Sequence, residues 1–417
     1  MKKQYKIKRY RRIHTSYKPG FFKIFLTVAA VAVLAFVGIS IYEPVYDFIM
    51  GNYEPSPQIV SEGEPEIQEP PQQEQEQEEA VQPVPEQSSL QIAYLPGEIA
   101  RDDALLTDFL ASLEGTGINS VLVDIKDRQG NVLFQSQNEN ALAWNAVSAS
   151  GVDLKALAAR LEQNGLALTV RLSAFCDQVA PYGNRGNAVR YQDTEWLWLD
   201  AAADAGGKAW LNPYAPGARD YITGLAVEAV EAGAKLVVLQ DVQFPDNSDS
   251  RDASFGAESQ NVSRQQVLSG FVSEATAAVE AAGGQLGVYV TAVSVTQTTS
   301  NEVRYGGSPL SVLDNTVVLG LLPYQFTAGF SAEGLEIQEP YRQPVEAVKT
   351  ALAYVQGQLE ASGANARIIP LLQGATDPAA EGLEIGPQQL QEQIDAARAA
   401  GLEDYVLYQT AGTYSLQ

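Results

Sequence analysis

Two short segments of this 417-residue chain combine carboxylates with polar neighbours directly after runs of apolar residues. One is Asp124-Ile125-Lys126-Asp127-Arg128, after Ser120-Val121-Leu122-Val123. The other is Gln240-Asp241-Val242-Gln243, after Leu236-Val237-Val238-Leu239. Carboxylates placed in this way can do general acid–base work, with Asp124 and Asp241 as the candidate pair. In an extended strand Asp124 and Lys126 share one face and Asp127 lies on the other. Asp124 beside Lys126 is either a structural ion pair or a pair facing substrate. The chemistry open to the chain is limited by what it lacks. Its one histidine is His14, close to the amino terminus, and its one cysteine is Cys176. That excludes Ser-His-Asp and Cys-His catalysis, His-ligated zinc and an intrachain disulfide. No metal and no cofactor is expected. Cys176 reads as buried filler at the end of an apolar strand.

The elements that must position these residues are legible from residue 90 onward. Strand patterns cover Gln91–Leu95, Ser120–Ile125, Ala167–Leu172, Lys235–Val242, Gln285–Thr291, Thr316–Leu321, Arg367–Leu372 and Asp404–Tyr408. Helical patterns cover Asp103–Glu114, Leu154–Gln163, Ala218–Ala232, Arg264–Ala282, Val345–Glu360 and Pro387–Ala400, and the fifth crossover (301–313) reads as short or irregular. Asp102 or Asp103, Asp153, Ser263 and Pro387 mark helix starts; Gly165, Gly233, Gly283, Gly363 and Gly401 mark ends. Strands apolar on both faces, alternating with helices, predict an α/β fold with a parallel sheet buried on both sides. Eight strands in about 330 residues predict a closed (β/α)8 TIM barrel. No glycine-rich phosphate loop follows the first strand, which speaks against a nucleotide-binding sheet. The chain stops soon after the eighth strand, so the last barrel helix is absent or replaced.

In such a barrel the site lies at the carboxyl ends of the strands. The polar residues there are Asp124, Lys126 and Asp127 (second strand), Arg171 (third), Gln240 and Asp241 (fourth), Tyr324 (sixth), Gln373 (seventh) and Tyr408 (eighth). The segment after the third strand adds Trp210, Asn212 and Tyr214, in a stretch where three of the four tryptophans fall within fifteen residues. Aromatic faces suit sugar rings; Trp196 and Trp198 are expected instead to give this long loop a core of its own.

Three blocks carry a family resemblance: Val123-Asp124-Ile125-Lys126-Asp127-Arg128-Gln129-Gly130, then Trp210-Leu211-Asn212-Pro213-Tyr214 with Asp220-Tyr221, and Val242-Gln243-Phe244-Pro245. In order and spacing they resemble a family of uncharacterised (β/α)8 barrels assigned to the glycoside hydrolases, distant relatives of the α-amylase-like glycosidases. The resemblance spans the region from Gln91 to Gln417. It implies a site at the fourth strand, where the family has Phe-Asp-Tyr-(Val/Ile)-Arg-Phe-Pro. Here the family Asp falls on Gln240 and the family Arg on Gln243; a carboxylate stands one place later, at Asp241. A one-residue shift turns a side chain to the opposite face of a strand, so Asp241 replaces the missing Asp only if a bulge re-aims it. Glycoside hydrolysis needs two carboxyl groups about 5 Å apart for retention, or roughly 6.5–9.5 Å for inversion. Asp124, Asp127, Asp177, Asp241 and Asp246 are the candidates, with the loop residues Glu302 and Glu333 behind them.

The amino-terminal part has a different texture. Residues 1–23 carry nine Lys/Arg and no acidic residue, and Ile24–Tyr42 carries no charge. About 20 apolar residues span a bilayer, and the basic flank sets the amino terminus in the cytoplasm. The reading is a basic tail (1–23), one uncleaved transmembrane helix (24–42), an extended Pro/Gln/Glu-rich linker (43–89) and an extracytoplasmic barrel (90–417). A signal peptide would have a shorter core and a small-residue cleavage site. Without the tail's nine basic residues, 18 Lys/Arg face 51 Asp/Glu, a net charge of −33. Such a polyanion repels nucleic acid. Two functions remain: a cell-membrane-anchored, glycosidase-like enzyme acting on cell-wall or surface polysaccharide, or a catalytically degenerate barrel that binds glycan or serves as a scaffold. The substitutions at Gln240 and Gln243 favour the second.

Overall fold

Eight parallel strands close into a barrel in this computed structural model. It describes residues 89–417 apart from 251, 297–299, 314, 327–329, 333–334, 375–384, 413 and 415–417. The predicted tail, span and linker, and Glu333, lie outside the described residues. Among those described, no helix is long and apolar enough to cross a membrane. In chain order the elements are β1 (Gln91–Tyr94), α1 (Asp103–Leu113), β2 (Ser120–Lys126), α2 (Leu154–Glu162), β3 (Ala167–Ser173), α3 (Pro216–Glu231) and β4 (Ala234–Gln240). Then follow α4 (Arg264–Ala281), β5 (Gln285–Thr291), β6 (Thr316–Leu321), α5 (Pro344–Ser362), β7 (Arg367–Gln373), α6 (Pro387–Ala399) and β8 (Tyr405–Tyr408). Each strand pairs with the next, and β1 pairs with both β2 and β8, so the ring has no edge.

The two-sided apolarity of the strands has a direct structural cause. Ile92, Leu122, Leu236, Val238, Val318, Ile369, Leu371 and Val406 pack against one another inside the ring. Their alternates, among them Val121, Val123, Val170, Leu172, Val237 and Leu239, pack outward under the helices. The helix punctuation holds. Asp102 accepts from the amides of Ala104 and Leu105, Asp153 from Ala156, and Ser263 forms a reciprocal capping box with Gln266. All five predicted terminal glycines have positive φ. The fifth crossover is indeed short: two five-residue helices, Ala292–Thr296 and Asn301–Tyr305, and a 3-10 turn.

Two features depart from the sequence reading and a third follows it. First, an arm follows β2: strands Val132–Phe134 and Val147–Val152 flank the helix Glu139–Ala143. It is joined to β2 by an antiparallel Lys126–Val132 pair and to α3 by Glu228, which accepts from Ser136 Oγ and the Gln137 amide. Three residues are too few to show alternation, and Ser148–Gly151 is half polar, so periodicity missed it. Second, β4 stops at Gln240 rather than Val242, because Asp241 takes a left-handed conformation with φ 56°. Third, no helix follows β8 among the described residues. Tyr414 covers the seam there instead: it is buried, its hydroxyl donates to the carbonyls of Tyr94 and Leu407, and its ring packs edge-on against Phe109 of α1.

Candidate active site

The segment after β2 builds one wall of the barrel mouth, each residue with a separate task. Asp124 points into the barrel, where Arg171 of β3 donates to both its oxygens (Nε to Oδ1 2.7 Å, Nη2 to Oδ2 3.0 Å) and the Tyr94 hydroxyl donates to Oδ2 at 3.0 Å. The guanidinium lies 5.4–5.8 Å from the ring centres of Tyr94, Tyr289 and Tyr408. Burial works against the charge of Arg171, but the Asp124 carboxylate more than offsets it and holds its pKa above the ordinary range. Burial likewise pushes the Tyr289 hydroxyl up to about 12. Gly320 on β6 makes room for that tyrosine: a Cβ there would stand 2.3 Å from its hydroxyl oxygen.

The partner of Asp124 is therefore Arg171, not Lys126. The register of β2 against β3 shifts between Asp124 and Lys126, and Lys126 turns into a fully buried ion pair with Asp177 (2.9 Å) while donating to the Ser173 carbonyl (2.8 Å). Gly130, at φ 94°, lets this pair close up; a Cβ would sit 2.2 Å from Asp177 Oδ1. Asp127 ties off the turn by accepting from the amides of Gln129 and Asn131 and from the Asn131 side chain (2.8–3.0 Å). The turn delivers Arg128 to the mouth, where its Nε lies 3.2 Å from Asp241 Oδ2. Ser173 Oγ donates to the same oxygen at 2.8 Å. The charge of Asp241 raises the Arg128 pKa.

The left-handed backbone at Asp241 changes what strand alternation implied. Gln240 and Asp241 both line one cleft of about 680 Å³, with the Asp241 side chain 9% exposed. Trp210, Tyr289, Thr291, Tyr305 and Gln325 share its wall, and Asp200, Asp246, Arg128 and Arg304 complete its charged rim. Arg304 donates to both oxygens of Asp246. Asp200 accepts from the Lys208 amide (2.8 Å) and from Trp210 Nε1 (3.0 Å). The Tyr305 hydroxyl, pushed up to about 12 by burial, donates to Gln243 Oε1 at 2.8 Å. The cleft thus holds three carboxylates, two guanidiniums and several aromatic and amide groups.

Of the residues predicted from sequence, Gln240, Asp241, Asp246 and Trp210 line this cleft. Asp124 and Arg171 lie in the barrel interior and reach it through Tyr289. Tyr408 stacks against Tyr94 with ring centres 4.6 Å apart, and Tyr324 packs against the interior cluster. Lys126 and Gln373 are buried. So are Asn212 and Tyr214: the Asn212 side chain bridges the Phe255 carbonyl and the Tyr214 amide, and the Tyr214 hydroxyl donates to the Val262 carbonyl. That block fixes the mouth loops to each other. Trp198 is buried as expected of a loop core, whereas Trp196 is 74% exposed. Cys176 is buried, and burial raises its thiol to about 11. Arg128 belongs to the segment after β2 that the sequence singled out; Asp200, Arg304 and Tyr305 were not singled out. Asp200 sits in a long loop, and Arg304 and Tyr305 lie in the short helix Asn301–Tyr305 of the fifth crossover, where periodicity gives no signal.

Residues 93–414 match the family model described as "Putative glycosyl hydrolase domain". The chain belongs to this family. No curated protein matches the sequence significantly. Among solved structures, a hypothetical protein from Ruminiclostridium thermocellum is 23% identical, with a TM-score of 0.41 over 47% of this chain and 96% of that one. The glycoside hydrolase domain of PgaB (BpsB) from Bordetella bronchiseptica is 16% identical, with a TM-score of 0.51 over 78% of this chain and 94% of that one. An α-L-fucosidase isoenzyme from Paenibacillus thiaminolyticus is 14% identical, with a TM-score of 0.48 over 79% and 47%. The PgaB domain shares the barrel fold.

Proposed function

We propose that the cleft binds a segment of cell-wall or surface polysaccharide and hydrolyses it, with Asp241 as the carboxylate facing the glycosidic bond. The observation that carries this reading is the positive φ of Asp241. A non-glycine residue pays a conformational cost there, and such outliers cluster at functional sites. Its effect is to return a carboxylate to the cleft beside Gln240, where the family has Asp. Arg128 and Ser173 orient that carboxylate from behind, as positioning partners should. Hydrolysis adds water across the bond, so a second carboxyl must supply or accept a proton.

A second reading has its own support. Asp241 already pairs with Arg128 and Asp246 with Arg304, and Asp200 accepts from the Lys208 amide and Trp210 Nε1, so the carboxylates of the cleft are engaged within the protein. This favours a barrel that binds glycan without cleaving it. The basic tail and uncharged stretch at the amino terminus support a single membrane anchor with the domain outside the cell, and the acidic body supports the absence of nucleic-acid partners.

The test is a screen of the purified domain against cell-wall polysaccharides, scoring new reducing ends. Hydrolysis predicts turnover that falls about 10²–10⁴-fold in Asp241→Asn. Binding without turnover supports the second reading. Turnover indifferent to Asp241 would remove the first.

A further inference from the structure

Among the described residues Trp196 is the most exposed of the large apolar side chains, at 74%, while Trp198 and Trp210 of the same loop are buried. Its position is built, not frayed. It closes a hairpin in which the Tyr191 amide donates to the Trp196 carbonyl (3.0 Å), the Trp196 amide donates to Thr194 Oγ1 (3.2 Å) and Arg190 pairs with Glu195 (2.6 Å). The base of the hairpin, Arg190–Tyr191, pairs with Ala253–Ser254 of the neighbouring mouth loop. The hairpin carries a depression of about 310 Å³, lined by Arg190, Tyr191, Asp193, Thr194, Glu195 and Ser254. An open indole on the same hairpin as a shallow hollow of hydroxyl, carboxylate and guanidinium groups is chemistry that suits a sugar: C–H contacts for the ring, planar hydrogen-bonding groups for the hydroxyls. Trp196 is also close to the cleft. Asp200 in the cleft wall lies four positions on, so the two Cα atoms lie within about 14 Å.

We propose that Trp196 and this depression form an outer subsite, where a sugar of the same glycan chain stacks on the indole while another part of the chain occupies the cleft. The proposal rests on the glycan reading of the cleft and adds to it a preference for long chains. A tryptophan side chain has only two rotatable bonds, so a ring stacking on it costs little side-chain entropy. The gain appears only when the glycan is long enough to reach both places.

The experiment uses an array of defined oligosaccharides of two to eight sugars, covering neutral, amino and uronic sugars, with wild type, Trp196→Ala and Trp196→Phe. Trp196 lies on the surface, so both variants should fold. For the glycans that bind wild type best, Trp196→Ala should weaken the longest about two- to tenfold and leave the shortest unchanged; Trp196→Phe should recover part of the loss. Tryptophan fluorescence should shift further to the blue on binding long glycans than short ones in wild type, and that excess should vanish in both variants. Equal loss on short and long chains, or no loss on long ones, overturns the outer subsite while leaving the cleft reading standing. No binding by wild type to any glycan overturns both.

Discussion

Asp241 tests the site at the scale of one residue. Asn tolerates the left-handed backbone that Asp adopts there, so Asp241→Asn removes the charge without forcing the chain to move. Asp241→Val would do both and should cost folding stability as well as function. Lys126 makes a contrasting prediction. Its ammonium is wholly buried against Asp177, so Lys126→Met leaves an uncompensated carboxylate in the interior. That should destabilise the domain by about 3–5 kcal/mol, readable as a lower denaturation midpoint. The double variant Lys126→Met/Asp177→Leu should recover much of the loss; if the single change is silent, the pair is not the internal tie described here. At this scale the sequence was only partly legible. Asp124 and Lys126 were singled out as a pair from strict alternation, but one register irregularity gave each a different partner. For Asp241 the sequence left the facing conditional on a bulge, because alternation says nothing about a residue that has left the strand.

At the scale of elements, the turn between β2 and the arm decides whether the site forms. Gly130 carries no chemistry, yet the Lys126–Asp177 pair closes across it and Arg128 stands two residues before it. Gly130→Ala adds strain at φ 94° and drives a methyl into Asp177. We expect a loss above about 1 kcal/mol, together with weaker glycan binding from a displaced Arg128. Unchanged stability and binding would show that the turn has slack. Elements were the most legible level. All eight strands and six major helices were found because parallel strands in a barrel are apolar on both faces and most of the helices carry a capping residue or terminal glycine at one end or both. The arm after β2 escaped because its strands are too short, or too polar, for periodicity to register. The mouth loops escaped because their order comes from distant contacts such as Asn212 to Phe255, which no local pattern encodes.

For the whole molecule, burial of acidic hydroxyl and thiol groups sets the response to alkali. Cys176, Tyr289 and Tyr305 have raised pKa values in the fold, about 11, 12 and 12. In the unfolded chain they titrate at about 8.5–10. The unfolded chain therefore loses these protons first. Their contribution to stability is complete below pH of about 8 and is lost as pH rises through 11 and 12. Denaturation midpoints should be flat from pH 6 to 8 and fall steeply above pH of about 10; a flat profile to pH 12 would contradict the burial of these groups. The proposed anchor belongs to the same scale. Protease added to intact cells should cut between Gly51 and Ser89 and release a soluble barrel, whereas a mature amino terminus near Tyr42 would show that the segment is cleaved as a signal.

The most direct measurement is a crystal structure of the Asp241→Asn domain soaked with the best-binding oligosaccharide. The account predicts a sugar in the cleft between residue 241 and Tyr289, within hydrogen-bond reach of Gln240 or Arg128. An oligosaccharide bound elsewhere on the barrel, with this cleft empty, would contradict it.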